Sequence, residues 1–168
     1  MDRLYGIKGR PPDRPAAVMF FALEPALAAL PELPPGTRAA VARLLPGAVT
    51  LLLPNRERRY PLACANAPEV LGLRVPRLAG ALAPLAAVGR PVLQSSANRS
   101  GGADARRLDE VDAGVRCCVD VVLDGGELPG TPSTVVDLTA YESEGSFAIV
   151  RDGAEPRTRV EAMLRSST

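Results

Sequence analysis

The stretch Lys8-Gly9-Arg10-Pro11-Pro12 sets two cations two residues apart around a glycine, and Lys8 is the only lysine in a chain with 20 basic residues. In an extended segment Lys8 and Arg10 point to the same side. Lysine supplies a compact point charge and arginine a planar fork, a pair that suits phosphate or carboxylate. The same pattern also fits a basic surface turn. A second polar cluster follows the apolar run Pro91-Val92-Leu93. Here Ser95, Ser96, Asn98 and Ser100 offer hydroxyls and an amide, and Gly101-Gly102 leave the backbone open. Ligands of open α/β sheets bind at such strand ends, and hydroxyls with bare backbone can cradle phosphate. The alternative is a polar turn. No GxxxxGK[ST] loop occurs anywhere in the chain.

Three further positions place polar groups at the ends of apolar runs. Ser133 and Thr134 open one that closes near Asp137, which is suited to a cation or a loop cap. Arg74 and Arg151 end two others. A charge beside a core is costly unless paired, so each either meets a carboxylate such as Asp152 or faces an anionic ligand. There is no histidine. That excludes Ser-His-Asp and Cys-His catalysis and a histidine general base. Cations, carboxylates, hydroxyls, amides or a bound metal remain, and the co-occurrence of cations and hydroxyls at strand ends suits a phosphorylated ligand and catalysis by charge neutralisation.

The elements that must position these residues are short. Apolar runs read as strands at 16–22, 48–54, 71–76, 91–97, 118–124, 133–139 and 147–153. Helical spacing covers 23–30, 36–45, 78–89, 104–112 and 156–166, with Asp104 as an N-cap and Pro84 either kinking the third or marking its first turn. Residues 1–7 read as the end of a helix. Strands alternating with helices predict an α/β (α+β-like) single domain on one twisted sheet. Cys64, Cys117 and Cys118 lack CxxC spacing. The adjacent pair opens the stretch 117–126 and reads as core packing in a buried strand.

Net charge is +1 and the pI about 7.7. That counts against a dedicated nucleic-acid binder, which is normally clearly basic. No apolar stretch is long enough to span a membrane and no leader pattern opens the chain, so a cytoplasmic protein is expected.

Taken in order, K-G-R-P, L-P-G-A-V-T-L-L-L-P, L-G-L-R-V-P, S-S-A-N-R-S-G-G, L-D-G-G, P-S-T-V-V-D-L-T and I-V-R-D-G-A closely resemble the YrdC-like family of threonylcarbamoyl-AMP synthases. The resemblance spans residues 4 to about 154. It implies a twisted sheet around a concave, positively lined cavity. It implies ATP, L-threonine and bicarbonate as substrates, with Mg²⁺, and threonylcarbamoyl-AMP and pyrophosphate as products. A partner enzyme then modifies a tRNA adenosine, and contact with tRNA is a further expectation. Lys8, Arg10, Ser96 and Asn98 match the family's K-x-R and S-x-N signature. Arg10, Ser96 and Arg151 fall at its ATP contacts, and Arg74 and Ser133 at its threonine contacts. The sequence departs from the pattern in three places. It begins after the family's strand and PT-x-T loop, has Met19 where many members have histidine, and has Gln94-Ser95 before S-A-N. It therefore reads as an N-terminally shortened single domain over 1–168, with 155–168 a C-terminal helix and an opened sheet edge. Two other readings stand beside the synthase. One is a non-catalytic RNA-binding or ribosome-associated module, or an inactive paralogue, on the same fold. The other is a carbamoyl-adenylate enzyme that does not use threonine.

Overall fold

The structure, a computed structural model, describes residues 2–165. Among these residues six strands form one mixed sheet: β1 (Ala17–Met19), β2 (Val49–Pro54), β3 (Val70–Arg74), β4 (Val92–Gln94), β5 (Thr134–Asp137) and β6 (Ala148–Arg151). Their order is β4-β1-β3-β2-β5-β6. The β1–β3 and β2–β5 pairs are parallel and the other three antiparallel.

Successive side chains on a strand face opposite sides, and the two faces here have opposite characters. Val18, Leu51, Leu53, Leu71, Leu73 and Val136 are fully buried on one face. They pack with residues of α2 (Leu23–Ala29), α3 (Pro35–Leu44) and α7 (Arg157–Arg165), including Ala26, Val41, Leu44, Val160 and Leu164. The alternate residues Ala17, Thr50, Leu52, Gly72, Arg74, Val135 and Asp137 line a cleft on the other face. One period-two pattern thus builds both the core and the floor of a cleft. Helix α3 starts with Pro35 in its first turn, where a missing N–H costs nothing. Its Thr37 N–H and hydroxyl reach Glu142 Oε2 at 2.8 and 3.2 Å. Among the described residues no helix is long and apolar enough to cross a membrane.

The helices expected at 23–30 and 36–45 form as α2 and α3, and six of the seven expected strands form. The helix expected at 156–166 runs Arg157–Arg165, while Ser166 and Met1 lie outside the described residues. Helix α1 (Asp2–Lys8) occupies the opening stretch.

Four expectations fail. First, residues 118–124 join no sheet, and Val121 and Leu123 are 71% and 64% exposed. An apolar run needs a partner strand to become a strand. Here Arg3 draws the segment toward α1 instead, through Asp120 and the Cys118 carbonyl. Second, Cys117 and Cys118 are consequently exposed and do not pack in a core. Third, residues 104–112 form no α-helix, only a 3-10 turn at Leu108–Glu110. The Arg106 N–H is taken by the Glu110 carboxylate and the Arg106 carbonyl by Leu128 N–H. The N-cap is Asp112, not Asp104; it accepts from Val115 N–H and starts α5 (Ala113–Arg116). Fourth, residues 80–87 wind as a 3-10 helix with none of them buried. Pro84 removes a donor from the i→i−4 ladder there. Two short helices, α4 (Pro61–Cys64) and α6 (Tyr141–Glu144), carried no sequence signal.

Candidate functional site

The cleft encloses about 740 Å³, within the range of about 300–1,000 Å³ usual for small-molecule sites. Its floor follows from strand register. Leu51 pairs with Leu73, which sets Thr50 opposite Arg74; Thr50 pairs with Val135, and Val135 with Arg151. Arg74, Thr50, Val135 and Arg151 therefore form one row across four strands, with a guanidinium at each end. The neighbouring row runs Ala17, Gly72, Leu52 and Asp137. Its two smallest members leave the floor deep on the β1–β3 side. Arg10, Ser95 and Ser96 on one side and residues 128–133 on the other make the walls.

The arginines of this cleft have no carboxylate partner among the described residues. Arg10 donates to Ser95 Oγ at 3.1 Å and to the Pro15 carbonyl, and its buried Nε has no partner. Arg151 donates to the Ser133 carbonyl at 2.8 and 3.2 Å and to Ser133 Oγ at 3.3 Å. Arg74 likewise has a buried Nε without a partner. Burial, and then the charge of Arg151, lower the pKa of Arg74. The nearby acids are committed elsewhere. Asp137 Oδ1 accepts from Thr139 N–H and hydroxyl at 2.8 and 2.6 Å, and Asp104 accepts from Asn98 Nδ2 at 3.2 Å. Asp152 pairs with Arg157. Of the alternatives open to Arg74 and Arg151 in the sequence, the carboxylate partner is absent. Two half-buried cations, Arg10 and Arg74, and the exposed Arg151 facing one cleft favour an anion strongly.

Lys8 sits differently from the sequence expectation. It is the last residue of α1, and Gly9 turns the chain with φ 59°. The segment is not extended, so Lys8 and Arg10 do not project together. Lys8 is 3% exposed and does not line the cleft. Its ammonium donates to the Ser96 carbonyl, to the Asn98 carbonyl at 2.5 Å and to Asn98 Oδ1 at 3.0 Å. Burial, then the charge of Arg10, lower its pKa, with Asp104 opposing. Asn98 is a connector too: it accepts from Ser96 Oγ at 2.7 Å and donates to the Gly102 carbonyl at 2.7 Å. The Ser100 N–H bonds the Lys8 carbonyl at 2.9 Å. Lys8 and Asn98 thus shape the loop that presents Ser95, Ser96 and Arg10.

The structure therefore brings Arg10, Arg74, Ser96, Ser133 and Arg151 to one cleft and sets Lys8 and Asn98 behind its wall. Ser133 Oγ shares a 2.7 Å hydrogen bond with Thr50 Oγ1. Thr134 is unavailable to a ligand, because its hydroxyl donates to the Glu155 carbonyl at 2.6 Å. Thr50, Leu52 and Gly72 were not found by sequence reasoning. The signal was present: Thr50 interrupts an apolar strand, and Gly72 alternates with two core leucines.

Three comparisons bear on this geometry. The profile of the Sua5/YciO/YrdC family, described as "Telomere recombination", matches residues 1–153. A Pyrococcus abyssi protein named threonylcarbamoyl-AMP synthase is 28% identical over 96% of this chain and 46% of its own length. A Bacillus subtilis protein of the same name is 26% identical over the same shares. The crystal structure of P. abyssi Sua5 complexed with L-threonine superposes with a TM-score of 0.79 at 27% identity, covering 96% of this chain and 46% of that one. The chain spans about half the length of the curated relatives it matches.

Proposed function

This chain belongs to the Sua5/YciO/YrdC family, and on that premise we propose that it is a threonylcarbamoyl-AMP synthase. It uses ATP, L-threonine and bicarbonate and makes the adenylate consumed in threonylcarbamoyladenosine modification of tRNA. The observation that carries the reading is the set of three guanidiniums, Arg10, Arg74 and Arg151, that face one cleft with no carboxylate partner among the described residues. The names of the relatives, and the threonine bound to one of them, support the choice of substrates.

The reaction asks little of the protein in proton transfer. Threonine's amine and bicarbonate condense to a carbamate with loss of water. A carbamate oxygen attacks the α-phosphorus of ATP, and the bond to pyrophosphate breaks. Two anions must meet, so the barrier is repulsion and positioning. Arg10, Arg151 and Ser96 hold the phosphates. Arg74 and Ser133 hold the threonine carboxylate. The row register keeps Arg74 and Arg151 at opposite ends of the floor, so each grips its own substrate while their summed charge lowers the repulsion between the two. Lys8 and Asn98 act as positioning residues.

The described residues fit Mg²⁺ poorly as a resident ion. Asp104 and Asp137 are hydrogen-bonded locally, and no group of three or more acidic, Cys or His side chains is assembled among the described residues. Mg²⁺ ordinarily travels with nucleotide phosphates, and no step here is routed through it.

The test is pyrophosphate release with ATP, bicarbonate and threonine, each omitted in turn. Release that needs all three is expected. No release, with no nucleotide binding by calorimetry, overturns the reading. Release without threonine assigns a different carbamoyl-adenylate chemistry. Salt-sensitive binding of structured RNA without ATP assigns an RNA-binding module instead.

A further inference from the structure

Cys117 and Cys118 lie at the C-terminal end of α5, outside the cleft and outside every role assigned above. Their sulfurs are 3.7 Å apart, and both residues are exposed. Cys117 Sγ also approaches the Gly114 carbonyl at 3.5 Å. The turn is pinned from the other side, because Arg3 donates to the Cys118 carbonyl at 2.9 Å and to both oxygens of Asp120. Arg99 lies against Gly114, where an added Cβ would meet its Nη2 at 2.9 Å. The turn that carries the dithiol is thus fixed on both sides, by Arg3 paired with Asp120 and by Arg99 paired with Asp112.

Two chemistries suit a pair of adjacent thiols, and geometry separates them. Neighbouring Cα atoms are about 3.8 Å apart across a trans peptide, inside the lower limit of about 4.4 Å for ordinary disulfides. Closing a disulfide here would strain the ring. Chelation needs no such closure. The two sulfurs already stand 3.7 Å apart on one exposed turn, close enough to share a single centre. Among the described residues no group of three or more His, Cys, Asp or Glu could complete a closed site. A four-ligand structural zinc site is not built. We propose that Cys117 and Cys118 form a two-sulfur chelating site for a soft, thiophilic metal or metalloid centre. Soft centres of this kind select thiolates over the oxygen ligands that dominate the rest of the surface.

Monovalent copper and trivalent arsenic share this chemistry. For Cu(I), both S–H bonds ionise, two Cu–S bonds form, the protons pass to buffer and no electron moves. For a phenylarsenical oxide, two As–S bonds form and the oxygen leaves as water with the thiol protons, with arsenic remaining trivalent.

The experiment uses the full chain without added reductant, under anaerobic conditions. In one arm the protein competes with a chromogenic chelator for Cu(I). In the other it is treated with phenylarsine oxide and weighed by mass spectrometry. One equivalent bound per chain in either arm is expected, released by a small dithiol and not by the same concentration of a monothiol. Cys117→Ser and Cys118→Ser should each lower affinity at least 100-fold, while Cys64→Ser, at a buried site, should not. Circular dichroism checks that the variants remain folded. The arm that responds identifies the source of the ligand. Binding in neither arm, or binding unchanged in either single variant, overturns the proposal.

Discussion

Replacing Lys8 by methionine separates a positioning role from a ligand contact. The change keeps much of the side-chain volume and removes the ammonium, leaving the Ser96 carbonyl, the Asn98 carbonyl and Asn98 Oδ1 without their donor. Hydrogen bonds to a charged group contribute about 1.5–3 kcal/mol each. Desolvating a charged group costs several kcal/mol in return, and burial is the leading cause of the lowered pKa of Lys8. The balance is a loss of about 2–4 kcal/mol. For a chain of this length that corresponds to a fall in Tm of about 5–15 °C. The loss should be local in its dynamics. Amide exchange at 95–102 should accelerate before that of β2 and β5, because Ser100 N–H keeps its bond to the residue 8 carbonyl while the side-chain clamp is gone. Activity should fall with stability, through kcat as well as KM, since Ser96 and Arg10 are displaced together. Arginine should not rescue it: a larger planar group in a site 3% exposed overpacks and cannot converge on three oxygens. An unchanged Tm and unchanged exchange at 95–102 in Lys8→Met would refute this reasoning, even if activity were lost, because Lys8 would then be acting on the ligand directly.

Three further outcomes are expected. Arg74→Met should weaken ligand binding at least 10-fold by calorimetry while Tm stays level or rises, because a buried cation with an unpartnered Nε and a like charge nearby is removed; a fall in Tm of many degrees would show that Arg74 has a structural partner. Leu51→Ala, at a fully buried position on the core face, should cost about 2–5 kcal/mol in urea unfolding, and a loss under 1 kcal/mol would place the core elsewhere. Burial tends to raise the Glu32 carboxyl, but the hydrogen bond and charge of Arg59 outweigh it and leave its pKa lowered. A lowered carboxylate stabilises the fold above its unfolded value, near 4.5, and loses that contribution as pH falls through the folded one. The stability gap between wild type and Glu32→Gln should therefore shrink from pH 7 to pH 3 in parallel thermal melts, and a constant gap would be the contrary result.

Much of the fold was legible because it rests on local patterns. Runs such as Val49-Thr50-Leu51-Leu52-Leu53 declare a strand, and helices α2 and α3 declare themselves by spacing. The candidate site was legible as a set of residue types: Arg10, Arg74, Ser96, Ser133 and Arg151 were singled out, and one cleft receives all five. The misreadings share a cause. Residues 118–124 have the composition of a strand, but a strand exists only where another offers its peptide groups. Residues 104–112 have helical spacing, but Glu110 and Leu128 take their backbone groups first.

The sequence by itself determined which residues carry charge and hydroxyls, that no histidine could move protons, and that short apolar runs between helical segments would build one twisted sheet. Those properties belong to side chains and their nearest neighbours along the chain. Only the tertiary structure decided which cations face the cleft. Register across four strands set Arg74 and Arg151 in one row, and the turn at Gly9 sent Lys8 behind the wall while Arg10 stayed on it. Burial and charge neutralisation depend on groups far apart in sequence, and nothing local to residue 8 distinguishes an ammonium that meets a ligand from one that holds residues 96–98 in place.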